Sequence, residues 1–196
     1  MNNMNTAIDQ IVIHLKARLD HSPTRERVTN IRDLPYFFEG WLTLEAVCAA
    51  RSRFPSCHVS VNKLFHGIKK VDLGVEIGDQ LLAIEIKHVP TSSTDAKSRL
   101  LGPKDSNAVQ DCIKLATTLC DAPLTRTLLM LYGPAQVYCG EPTNCTDGSG
   151  GLRDVCLRHA MEDLLSKAAL SSPVAWHHHP LSVPRMHLIQ VSMGTF

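Results

Sequence analysis

The sequence has no stretch approaching the roughly 18 consecutive apolar residues that a membrane-spanning helix needs. Its N-terminus, MNNMNTAIDQIVIHLKAR, has no basic segment ahead of an apolar core of the kind a secretory signal carries. Both absences lead to the expectation of a cytoplasmic protein. An excess of one charge is missing too. With 20 Lys and Arg against 19 Asp and Glu, the formal charge of +1 announces no polyanion partner, although the part before Val71 holds ten basic residues against six acidic ones. The cysteines number seven, an odd count spread from Cys48 to Cys156, which argues against a disulfide framework and for reduced thiols. There is no Gly-x-Ser-x-Gly elbow, and the glycine-rich DGSGG lacks the Lys-Ser/Thr of a phosphate-binding loop. Cys139, Cys145, Cys156 and His159 lack a Cys-x2-Cys knuckle, so they read as packing residues. The tract His177 to His179 has the look of a metal site, but it is internal, short and followed by Pro180, so a bound metal is not expected there.

What is there is an ordinary globular composition, 44% hydrophobic and 20% charged, in a chain of 196 residues that can bury a real core. Ile8, Ile11, Val12, Leu15 and Leu19 recur at three and four, which predicts a helix over 6–19. The polar run DHSPTRERVTN reads as a connector. A second helix is expected from Pro35 through Phe54, opening on a proline suited to its first turn. HVSVNKLF alternates as a short strand, AVQDCIKLATTLC reads as a helix capped by Asp105, Ser106 or Asn107, and RTLLMLYG is an apolar run of buried-strand type. A C-terminal helix over LRDVCLRHAMEDLLSKAAL and a last strand over MHLIQVSM complete an α/β order. One domain is expected: a helical extension and connector over 1–32, a core over 35–133, and a C-terminal elaboration over 134–196.

The informative stretch is KKVDLGVEIGDQLLAIEIKHV, two strands about a tight turn. Val71, Leu73, Val75 and Ile77 are expected on one face and Asp72, Gly74 and Glu76 on the other. On the second strand, Leu82, Ile84 and Ile86 oppose Ala83, Glu85 and Lys87. If Gly78 and Asp79 form a two-residue turn, Ile77 pairs with Gln80, and counting back sets Asp72 across from Glu85. Two facing carboxylates repel, by several tenths of a kcal/mol when exposed and more when buried. A divalent cation between them removes the conflict, and Mg²⁺ is commonly held by one or two carboxylates plus water; the Ile86 carbonyl could contribute as well. Lys87 leans out on the same face. The plainer reading is a solvent-facing strand pair in which Lys87 neutralises Glu85 and Asp72.

Asp72 followed by Glu85-Ile86-Lys87 across a hairpin, with a carboxylate-bearing helix before and another helix after, resembles the PD-(D/E)xK nuclease superfamily. The likeness extends over about 35–133 in element order, with Val71 replacing the usual proline before the aspartate. It implies a restriction-endonuclease-like mixed sheet flanked by helices, and Mg²⁺-dependent hydrolysis of DNA phosphodiesters, with Mn²⁺ able to substitute. In that scheme Asp72, Glu85 and the Ile86 carbonyl hold the metal, which acidifies a bound water that Lys87 orients or deprotonates. Members often add a glutamate from the preceding helix. At about 100° per residue Glu45 falls among Phe38, Trp41, Leu42, Cys48 and Ala49, where a carboxylate must be paired or metal-linked, so it is the expected extra ligand and Glu39 the reserve. Gln110 and Lys114, four apart on the following helix, are expected phosphate or lysine contacts, as are Lys97, Arg99 and Lys104 in the intervening loop. A homodimer that cuts both strands is a further expectation. The rival is a catalytically inactive member of the same fold that binds nucleic acid or a protein.

Overall fold

The computed structural model describes residues 4–31, 38–65, 69–89, 107–117, 124–132, 174–183 and 186–193. The elements are α1 (Met4–Asp20), α2 (Ser22–Ile31), α3 (Phe38–Arg53), β1 (His58–Phe65), β2 (Lys69–Ile77), β3 (Gln80–Val89), α4 (Ala108–Ala116), β4 (Leu124–Tyr132), β5 (Val174–Pro180) and β6 (His187–Met193). Among the described residues the strands form one sheet of six, in the order β1-β2-β3-β4-β6-β5. β3 and β4 are parallel and every other neighbouring pair is antiparallel, so the sheet is mixed, as expected. No helix among the described residues is long and apolar enough to cross a membrane.

Each face of the sheet is covered. On one, Ile8, Ile11, Leu15 and Leu19 of α1 and Leu42, Ala46, Ala49 and Ala50 of α3 pack with Leu73, Val75, Leu82, Ile84 and Ile86. On the other, Ala108, Val109, Cys112 and Leu115 of α4 pack with Ala83, Val89, Leu128, Met130 and Val191. β3 therefore lies between two layers as well as between two strands, and its side chains from Leu82 to Val89 are all buried. Burial pushes the Cys112 thiol up, as do the charges of Asp111 and Glu85, which keeps it an inert core residue.

Several expectations need correction. The run read as a connector is α2: Pro23 fits its first turn, and Val28, the only apolar residue between Pro23 and Ile31, is fully buried in the α1/α3 cluster. One buried residue among the nine from Ser22 to Asn30 leaves too little periodicity to read. The Trp-His tract, to which the sequence assigned no element, is strand β5, paired with β6 despite its polar sequence. α4 stops at Ala116, where the Thr117 hydroxyl donates to the Ile113 carbonyl at 2.9 Å, short of the expected Cys120. Of the three offered caps, Asn107 serves, its side chain accepting from the Gln110 N–H at 2.9 Å. The expected C-terminal helix and the cysteine and histidine set Cys139, Cys145, Cys156 and His159 lie outside the described residues.

Candidate active site

Gly78, with φ 58°, turns β2 into β3, and Ile77 pairs with Gln80. Gly78 is the first of the two turn residues, and Asp79 keeps a negative φ, so the turn is of the type II′ kind that matches strand twist. From there the ladder runs Glu76–Leu81, Val75–Leu82, Gly74–Ala83 and Leu73–Ile84, the register that counting predicts. Asp72 and Glu85 come next, and there β2 leaves the ladder. In a continuing ladder the Ile86 N–H would donate to the Val71 carbonyl. It donates instead to the Asp72 carboxylate at 2.8 Å. Because N–H and C=O of one strand residue face the same neighbour, the Ile86 carbonyl is also directed to the β2 side, beside Asp72.

Alternation along β2 fails at the same point. Leu73 belongs to the α1/α3 cluster and Val71 to the α4 cluster, although residues two apart on a regular strand share a face. The expectation that Val71 and Leu73 lie on one face is thus wrong, because Asp72 turns into the gap between strands.

Glu85 and Lys87 are 2% and 5% exposed, which removes the reading of a solvent-facing strand pair. Burial pushes the Glu85 carboxyl up to about 9, with the charges of Asp72 and Asp111 adding to the rise; the Lys114 ammonium, ion-paired with Glu85, acts against it. Lys87 Nζ lies 2.8 Å from Asp111 Oδ2 and 3.9 Å from Glu39 Oε1. The Glu39 carboxylate also accepts from the His88 N–H at 3.2 Å. Glu39 and Asp111 thus meet the Lys87 ammonium, Glu85 meets that of Lys114, and Asp72 lies close enough to act on Glu85, so four carboxylates and two ammonium groups form one cluster. When all are ionised the cluster is formally −2.

Not every expected residue joins this cluster. Glu45 faces away from it and is bonded to Arg18 of α1, with Glu45 Oε2 2.9 Å from Nε and 2.7 Å from an Nη of the guanidinium. Projection correctly required a partner for it, but α1 supplies an arginine. The buried stripe of α3 is Leu42, Ala46, Ala49 and Ala50, with Cys48 exposed. Glu39, in the first turn of α3, is the glutamate that reaches the hairpin. Gln110 is exposed, whereas Lys114 meets Glu85. Lys97, Arg99 and Lys104 lie outside the described residues.

Asp111 was missed, and its signal was legible. It stands on the Ala108, Cys112 and Leu115 stripe of α4, 7% exposed, where a carboxylate needs a partner. The test applied to Glu45 would have found it.

Among the described residues no three His, Cys, Asp or Glu side chains converge on one point as a metal site. Mg²⁺ does not require three. One or two carboxylates, a carbonyl and water are its usual set, and Asp72, Glu85 and the Ile86 carbonyl suit it. Burial and the neighbouring Asp72 charge together oppose ionisation of Glu85, and a bound cation would offset both. No family model matches the sequence, and no curated protein or solved structure matches it either.

Proposed function

We propose that the protein is a Mg²⁺-dependent deoxyribonuclease of the PD-(D/E)xK type. The observation that carries this reading is the buried Glu85 carboxyl beside Asp72, at the point where β2 parts from β3, with Lys87 two residues on. A carboxylate pair on two adjacent inner strands is costly to the fold and has value where a cation and a phosphate are handled. The element order supports the same reading: α3, the β1-β2-β3 meander, α4, then β4 parallel to β3.

When bound, Mg²⁺ would supply Lewis-acid polarisation of the phosphate and a water of lowered pKa. The chain's own residues do the rest. Asp72 and Glu85 hold the cation, and Glu39 takes the helix position first assigned to Glu45. Asp111 holds the Lys87 ammonium, limiting its rotamers. Lys87 donates to the attacking water or to a phosphate oxygen. Lys114, 30% exposed at its side chain, can turn from Glu85 to a backbone phosphate.

The rival reading, a non-catalytic member of the fold, draws on the Lys114–Glu85 and Lys87–Asp111 pairs, which let the cluster persist without a cation. Cleavage assays separate the two. Supercoiled, linear and single-stranded DNA, with RNA of matching sequence, are incubated with Mg²⁺ or Mn²⁺ and wild type, Lys87→Ala or Asp72→Asn. Metal-dependent cutting of DNA that both substitutions abolish supports the nuclease. Cutting of RNA alone moves the substrate class. A wild type that cuts nothing and takes up no metal in calorimetry leaves the binding module.

A further inference from the structure

The β1–β2 ladder contains a second irregularity, facing the first. Its pairs run His58–Glu76, Val59–Val75, Ser60–Gly74 and Val61–Leu73, then resume at Lys63–Val71 and continue to Phe65–Lys69. The register is the same on both sides, and the pair passed over is Asn62–Asp72. Asn62 has φ 54°, the only positive φ at a non-glycine position among the described residues. A left-handed residue inside a strand is uncommon, and asparagine is one of the few side chains that tolerates it.

The side-chain directions change there. On a regular strand Lys63 would share the face of its partner Val71 and point away from Gly74 and Glu76. It crosses to them instead, with Nζ 2.7 Å from Glu76 Oε1 and its Cβ and Cγ lying where a Cβ on Gly74 would sit, 2.8 and 2.7 Å away. So both strands reverse their alternation at one cross-strand position, Asn62 on β1 and Asp72 on β2, while keeping register. Among the described strands β1 lies at the sheet edge, where a kink disturbs no further described neighbour. β2 is bound on both sides, and Asp72 turns into the β3 gap at the position where the β1 ladder lapses opposite.

We infer that Asn62 is a positioning residue for the candidate cation site: its left-handed backbone breaks the β1–β2 ladder at Asp72, and this lets the Asp72 carboxylate leave the sheet face for the Ile86 edge. The Asn62 side chain is exposed, so the position requires the backbone angle and not the amide. The inference rests on the reading of Asp72 as a ligand, and a substitution series distinguishes failure of one from failure of the other.

Mn²⁺ binding is measured by calorimetry on wild type, Asp72→Asn, Asn62→Gly, Asn62→Ala and Asn62→Val. Glycine accepts positive φ freely, alanine resists it and a β-branched valine resists it most. The expected result is binding by Asn62→Gly within about twofold of wild type, with Asn62→Ala at least tenfold weaker and Asp72→Asn without measurable binding. Circular dichroism and the unfolding midpoint of Asn62→Ala check that its loss is local; Asn62→Val adds a harsher arm, and if it fails to fold the alanine and glycine variants decide. Equal affinity for Asn62→Ala and Asn62→Gly overturns the inference while leaving the cation site standing, whether both match wild type or both are weak. Wild-type protein that takes up no Mn²⁺ overturns the site reading and the inference with it.

Discussion

Raising the pH of the metal-free protein from 6 to 8 tests the candidate site through stability alone. The Glu85 carboxyl titrates near 9 in the folded protein against an ordinary 4.5. A carboxyl raised in this way contributes stability that is fully present below the unfolded value, about 4.5, and is lost as pH rises through about 9. Between pH 6 and 8 the unfolded chain has released this proton and the folded chain retains it, so unfolding releases one proton. The slope is then about −1.4 kcal/mol per pH unit, or about 3 kcal/mol over the two units. For a chain of this length that lowers the thermal midpoint by about 6–12 °C. The assay is thermal or urea unfolding in chelator at three pH values, for wild type and Glu85→Gln. The glutamine keeps the shape and removes the titration, so its profile should be flat where the wild type falls. On the proposed reading Mg²⁺ would bind the ionised carboxylate, so a saturating concentration should flatten or reverse the wild-type slope. A Glu85→Gln slope equal to that of wild type would refute the reasoning, because the lost stability would then belong to another group.

Three further outcomes are expected. Glu45→Gln should leave metal uptake and cleavage unchanged and cost about 1 kcal/mol or less in urea unfolding, since its pair with Arg18 is partly solvated, whereas Glu39→Gln should lower kcat about tenfold or more through Lys87. Gly74→Ala should destabilise by about 1–3 kcal/mol in the same assay, because the added Cβ meets the Lys63 stem and forces its ammonium off Glu76. Burial works against ionisation of Asp20, but hydrogen bonds from Lys16 and from the Ser182 N–H, the latter at 2.6 Å, hold its carboxyl below the ordinary value; its contribution is present above about pH 3.8 and fades as pH falls through the depressed pKa. Asp20→Asn should accordingly flatten the acid limb of the stability profile, and an acid limb like that of wild type would refute this.

Where the sequence carried strong periodicity it was sufficient. The bounds of β1, the two-residue turn and the β2–β3 register were all legible, because alternation and a turn-forming Gly-Asp act locally. α2 and β5 were not, since neither carries the apolar pattern of its class: one is held by Val28 under α1, the other by pairing with β6. The candidate site was legible on the hairpin and less so on the helices. Helical projection can say that a carboxylate enters a buried stripe and needs a partner. It cannot say whether that partner is Arg18 or Lys87, because this depends on which layer the helix faces. The Asn62 kink was hidden for a different reason. HVSVNKLF alternates well enough by composition to read as a regular strand, and a single left-handed residue leaves no periodic trace.

The location of the charge cluster follows from what it costs. Four carboxylates and two ammonium groups, buried or half-buried, oppose folding unless each is paired or bound by an outside charge. β3 can bear this cost better than any edge strand: β2 and β4 supply its backbone partners, and the two apolar clusters pack against its faces through Leu82, Ile84 and Ile86 on one side and Ala83 and Val89 on the other. Those same contacts hold the groups still. Lys87 is fixed between Asp111 from one layer and Glu39 from the other, and Asp72 is tied to the Ile86 amide. Mobility in the cluster therefore belongs chiefly to Lys114, the more exposed ammonium, whose partner Glu85 is also the group most strongly raised. On the proposed reading, a cation binding at Glu85 would have to displace both this lysine and the carboxyl proton, so its uptake would free a positive charge for a phosphate backbone at the same carboxylate.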